Sequence, residues 1–186
     1  LQMERLEMFQ FDARKYEDFD NATRESAGEE IYATVRTLLK EHLPLTKLLK
    51  SEFIVINDAL ADFYNIPDVQ GSHFRKVTLP KNSTRGGLVS SVAVLAMGSD
   101  GLRSSPVERG AWVLRHLLNN PPPPAPPNVP QLGRLDGKIF SARDLQKAHQ
   151  EAPQCAQCHQ KIDPIGYALE NFDASGKWRD QELVFS

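Results

Sequence analysis

Cys155-Ala156-Gln157-Cys158-His159 holds both cysteines of the chain and one of its five histidines. Four chemistries use two cysteines at this spacing, and their surroundings separate them. A structural zinc site wants four ligands arranged as a tetrahedron, which two cysteines cannot supply, and adjacent Cys158 and His159 are poorly placed to share one ion. A thioredoxin-like redox pair follows a strand in a βαβ setting, whereas a helical pattern and a run of prolines precede this one. A disulfide across two residues closes a tight ring that restrains the unfolded chain little, and it leaves His159 without a role. Cys-x-x-Cys-His is, finally, the signature of covalent c-type haem attachment. Two thiols three residues apart on one turn reach the two vinyl groups on one porphyrin edge, and the next residue projects its imidazole toward the iron. The motif therefore predicts haem c, anchored through Cys155 and Cys158, with His159 as the proximal iron ligand.

The rest of the chain bounds this reading. A length of 186 residues suits one or two domains with a buried core. The formal net charge of −2 comes from intermixed acids and bases, with no basic tail or block of the kind that binds nucleic acid. No apolar run approaches the roughly 20 residues that span a bilayer, and the first residues lack the order of a secretion signal. The chain opens on LQMERLEMFQ with apolar residues already in helical rhythm and stops after WRDQELVFS. It reads as a piece of a longer polypeptide, with any export signal outside it.

The periodicity points to an all-α protein: a helical region over residues 1–82, then a haem domain over 83–186. Ile31, Val35, Leu38, Leu39 and Leu43 recur at helical spacing, Met3 and Met8 belong to the packing of a first helix, and Asn57 is placed to cap the helix in INDALADFY. HFRKVTLP reads as a short extended interruption. GGLVSSVAVLAM is an apolar stretch closed by the turn Gly98-Ser99-Asp100-Gly101. Ser105-Pro106 opens a helix, since proline at the first position gives up only an unpaired N–H, and Trp112, Val113, Leu117 and Leu118 line one of its faces up to Asn119-Asn120. PPPPAPPNVP fixes φ at every proline and reads as a stiff polyproline strap between helical parts. Ser141 and Asp144 resemble a capping box at the head of a helix through DLQKAHQEA, and IGYALENF forms a short helix after the motif.

CAQCHQKIDPIGYALENFDASGKWRD, residues 155–180, resembles the C-terminal part of the planctomycete-type cytochrome c domain family. Its members follow the haem motif with the pattern IDP-x-G-x-ALE-x-FD-x-x-G-x-WR. The likeness extends upstream through RGGLVSSVAVLAMGSDGLRSSPVERGAWVL, the proline strap and His149, and the first 70 residues resemble the end of the helical domain that usually precedes it. One departure is Ser104-Ser105-Pro106, where the family pattern has Thr in the first place; serine keeps the hydroxyl. The resemblance implies a cytochrome c-like haem domain of the periplasm or cell surface, one module of a larger polypeptide. Its partner would be a redox protein or another domain of the same chain. It implies no settled biochemical role.

A second axial ligand separates electron carriers from haem enzymes and sensors. No methionine follows His159, so the candidate is Met97, at the end of an apolar helix beside Gly98; packing filler is the alternative for any methionine. His149 suits a contact near the haem edge, and His73 and His116 are fallback ligands with ordinary surface or core roles as their alternatives. The turn Asp163-Pro164-Ile165-Gly166 is near enough to offer a backbone carbonyl to the other nitrogen of His159. Arg109, Trp178 and Arg103, with Arg179 behind them, are donors for the haem propionates or else surface salt-bridge formers. Tyr167, Leu169 and Phe172 would wall the macrocycle. Asp163, Glu170 and Asp173 do not match an EF-hand loop, so calcium is not expected, and capping and arginine pairing are the roles read for them. The sequence supports one-electron transfer through a single haem iron. A peroxidase-like or gas-binding protein with an open sixth position, and an adaptor stapled by haem, stand as alternatives.

Overall fold

The computed structural model describes residues 1, 3–124 and 153–181, which fall in two compact units. The first comprises Leu1–Ser105 together with Phe172–Trp178. Its longest element is α1, Asn21–Lys40, started by Asp20, whose carboxylate accepts the Thr23 N–H at 2.8 Å and so satisfies one of the unpaired donors of the first turn. Ala27, Ile31 and Leu38 are buried along it. The helix α2, Asp58–Tyr64, begins as the sequence suggests: the Asn57 side-chain oxygen accepts from Leu60 N–H, and its amide nitrogen donates to Ser26 Oγ at 2.9 Å. The next helix, α3, Val92–Met97, is buried at all six positions. Short 3-10 turns occupy Met3–Met8, Leu45–Leu48 and Leu88–Ser90.

Two strands correct the all-α expectation. Phe53–Ile56 (β1) pairs antiparallel with Arg75–Thr78 (β2), in the register Phe53 to Thr78 through Ile56 to Arg75. The extended reading of HFRKVTLP matches β2, whereas β1 lies in a region expected to be helical. The reason is local: Phe-Ile-Val-Ile is a run of aromatic and β-branched side chains, stiff at χ1, and all four are buried. A short continuous apolar run of this kind does not betray its period, and Asn57, directly after it, marks where the helix begins. The fold is mixed: about 47% helical, with one two-stranded antiparallel sheet among the described residues. Met8 is a smaller correction, since it is 73% exposed rather than packed, while Met3 is buried.

The interior of this unit holds one carboxyl group. Glu30, only 3% exposed, accepts the Tyr64 hydroxyl at 2.7 Å, and Tyr64 in turn accepts the Val92 N–H. The Arg85 guanidinium stacks on the Tyr64 ring at 3.8 Å and donates to the carbonyls of Ser90 and Gly176, each at 2.7 Å. Burial raises the Glu30 carboxyl to about 7, against the lowering effect of Tyr64 and Arg85, and burial pushes the Tyr64 phenol well above its usual range. Phe172–Trp178 closes on itself: Phe172 and Trp178 form a bridge with rings edge to face at 5.1 Å, and Asp173 accepts from Ser175 Oγ and Lys177 N.

The second unit comprises Pro106–Asn171 and Arg179–Ser186. Its described helices are α4, Pro106–His116, opened by its proline as expected, and α5, Pro153–Tyr167. They approach backbone to backbone at two glycines. A Cβ on Gly110 would overlap the Ile162 carbonyl, and one on Gly166 would overlap the Pro106 carbonyl. Pro121–Pro124 adopts neither helix nor strand. The rest of the strap, the helix expected from Ser141 and Asp144, and His149 lie outside the described residues. Among the described residues, no helix is long and apolar enough to cross a membrane.

Candidate functional site

Pro153 stands at the first position of α5, where its missing N–H costs nothing and its fixed φ suits the helix. Two turns then carry the motif. Cys155, Cys158 and His159 fall at i, i+3 and i+4, and Ile162, Asp163 and Gly166 continue the same face. The stripe that meets α4 at Ile162 and Gly166 is thus the one that presents the two thiols and the imidazole. Both cysteines are unbridged and half-buried. His159 is also half-buried, and its Nδ1 lies 2.9 Å from Oδ1 of Asp163, whose side chain is only 2% exposed.

That contact revises the expected support of His159. Asp163-Pro164-Ile165-Gly166 is not a turn, because α5 runs through it to Tyr167; of the short helix expected over IGYALENF only residues 165–167 are helical, as the end of α5, and residues 168–171 form turns. The partner of the ring is therefore a buried carboxylate rather than a backbone carbonyl. Pro164 removes the N–H that would bond the Gln160 carbonyl, weakening the ladder at this point. The His159–Asp163 link brackets the same turn from the side, one rung earlier. Spacing of four on a helix was the available signal, and the proline obscured it.

The other acids go to different partners. The carboxylate of Glu170 receives Arg179 Nη2 at 2.8 Å, and Arg109 Nη1 lies 4.0 Å from its other oxygen. Arg109 is 1% exposed and donates to the Leu169 carbonyl at 3.0 Å, so its guanidinium is an internal clamp on the chain after α5. Tyr167 and Leu169 are half-buried in this unit. Trp112, 5% exposed on α4, stacks near His116 with ring centroids 5.1 Å apart, and its indole N–H has no acceptor among the described residues. That buried donor, read from the sequence only as part of an apolar face, is a polar group awaiting a partner. Met97, Phe172 and Trp178 belong to the first unit: Met97 is buried at 5% exposure, Phe172 at 3%, and Trp178 is exposed. His73 is exposed beside Arg75.

The donor set of α5 fits a c-type haem: two free thiols and one oriented imidazole share a face, with nothing bonded between the sulfurs. A family model described as PSCyt3, a protein of unknown function (DUF1588), matches residues 85–182, more than half of the chain. The chain belongs to the PSCyt3 family. Residues 1–66 are similar to a second family, PSD4, also described as a protein of unknown function (DUF1592). Both are, by name, planctomycete cytochrome c-associated domains. The PSCyt3 segment starts at Arg85, inside the first unit, and includes α3, α4, α5 and Phe172–Trp178. No curated protein and no solved structure matches the chain.

Proposed function

We propose that the chain is a c-type cytochrome module that carries single electrons through one haem c. The observation that carries this reading is α5 itself, with Cys155, Cys158 and His159 on one helical face and the imidazole fixed by a buried acid. Cys155 and Cys158 would hold the group, each thiol adding across one vinyl group with sulfur on one carbon and its hydrogen on the other, so attachment would consume no oxidant. A bound haem supplies the ferric–ferrous couple, taking one electron from a reduced partner protein and passing it to an oxidised one. The protein supplies position and environment. His159 presents Nε2 to the metal while Asp163 holds Nδ1, Tyr167 and Leu169 offer apolar cover, and the buried Trp112 N–H is a donor that a carboxylate of the group can use. Met97, expected from the sequence as a second ligand, is the candidate that the spectra described below would test. The module works in the periplasm or at the cell surface, with a redox protein or a neighbouring domain as its partner.

A second reading follows from the carboxylate behind His159. A ligand hydrogen-bonded to a carboxylate in this way also suits a haem that binds peroxide or a gas at an open sixth position. Absorption spectra of the oxidised and reduced protein decide between them. Methionine ligation gives a long-wavelength charge-transfer band that Met97→Ala abolishes, and an open position gives high-spin features in the wild type. Covalent attachment is checked by acid extraction: haem stays with the wild-type chain and is extracted from Cys155→Ala with Cys158→Ala, and full extraction from the wild type would overturn the proposal.

A further inference from the structure

We infer that Asp163 sets the redox poise of the site by giving His159 imidazolate character, biasing the module toward the ferric state. The inference rests on the haem reading above and adds a residue that acts through the ligand, a positioning residue with an electronic effect. Its basis is geometric. Oδ1 of Asp163 lies 2.9 Å from Nδ1 of His159, a distance typical of a charge-assisted hydrogen bond. The acid side chain is 2% exposed and that of the histidine 13%, so little water screens the contact. Spacing of four within α5 fixes both side chains on one face, and the close approach of α4 at Gly110 and Gly166 holds the helix segment that carries Asp163.

The chemistry follows from the neutral ring. Nδ1–H donates to the carboxylate, which draws the proton toward oxygen and leaves more electron density on Nε2. A stronger donor at Nε2 stabilises the higher charge of ferric iron more than that of ferrous iron, so reduction becomes harder. A backbone carbonyl at the same place carries no net charge and would exert a weaker pull. During transfer one electron enters and leaves the metal, the Nδ1 proton stays between His159 and Asp163, and no bond is broken.

The test uses the full chain with haem attached, as wild type, Asp163→Asn and Asp163→Glu. Covalent haem after acid extraction is scored first, because its absence from the wild type overturns the haem reading itself. Spectroelectrochemical titration then reads the inference. Asp163→Asn should raise the midpoint so that the ferrous-to-ferric ratio at fixed poise increases at least tenfold, equivalent to about 59 mV for one electron, and Asp163→Glu should recover part of the shift. Haem-loaded Asp163→Asn with a ratio within twofold of wild type would overturn the inference and leave haem attachment standing. Should Asp163→Asn fail to fold, nitrogen NMR of His159 in the reduced wild type serves instead. An Nδ1 resonance displaced toward imidazolate supports the inference, and one at the neutral imidazole position overturns it.

Discussion

Glu30 shows how a single residue couples this protein to pH. Its carboxyl is buried and titrates near 7 in the folded chain, against 4.5 for a free glutamate. Between those values the folded state keeps a proton that the unfolded chain releases, so stability falls as pH rises from about 4.5 to 7 and levels off above. The full effect, at 1.36 kcal/mol per pKa unit, is roughly 3 kcal/mol. Glu30→Gln keeps an oxygen for the Tyr64 hydroxyl while removing the charge. Its unfolding free energy, measured in urea at pH 5 and pH 8, is expected to change less than that of the wild type, with the variant the more stable at pH 8. An equal change in both proteins would count against the assignment. None of this was legible in the sequence, where Glu30 is one acid in a helix rich in them. Burial of one helical face next to a tyrosine from another element is a tertiary fact. Asp163 differs in kind, because its spacing from His159 was visible and only the proline beside it argued for a turn.

At the scale of elements, the crossing of α4 and α5 depends on the absence of side chains at two points. Gly166→Ala places a methyl group against the Pro106 carbonyl, and Gly110→Ala places one against the Ile162 carbonyl. Both neighbours are backbone, which yields less readily than the tip of a flexible side chain. Each substitution is expected to cost at least about 2 kcal/mol, the range for overpacking in an interior, seen as a lower thermal midpoint of the second unit. Alanine at the exposed Arg115 of α4 is the control and should change stability by less than about 0.5 kcal/mol. Helix starts were the most legible features: Asn57 and Pro106 stand where capping chemistry puts them. The strand Phe53–Ile56 was hidden because four consecutive buried residues have no period of two to display. The end of α5 was hidden because Pro164 reads as a breaker, although the helix continues for three residues past it.

At the scale of the whole molecule, the order of residues and the composition of the units differ. Phe172–Trp178 belongs to the unit formed by the first 105 residues, to which it brings the Gly176 carbonyl for Arg85, the Phe172 ring beside the same guanidinium, and the Lys177 ammonium paired with Asp18. A fragment of residues 1–105 is therefore expected to melt below the same fragment carrying 172–178 on a flexible tether, by circular dichroism. Equal midpoints would show the segment to be dispensable. The pentapeptide of residues 155–159 stands out in the sequence because it is contiguous and holds both cysteines; the return of the chain after it does not, since no local pattern marks which unit a short turn will join. Synthesis runs in one direction, and this imposes an order of events. Residues 1–105 emerge with one piece missing, the thiols of Cys155 and Cys158 emerge next, and only then comes the segment that completes the first unit. The chain thus presents the thiols of Cys155 and Cys158 before the folding of its first unit can be finished.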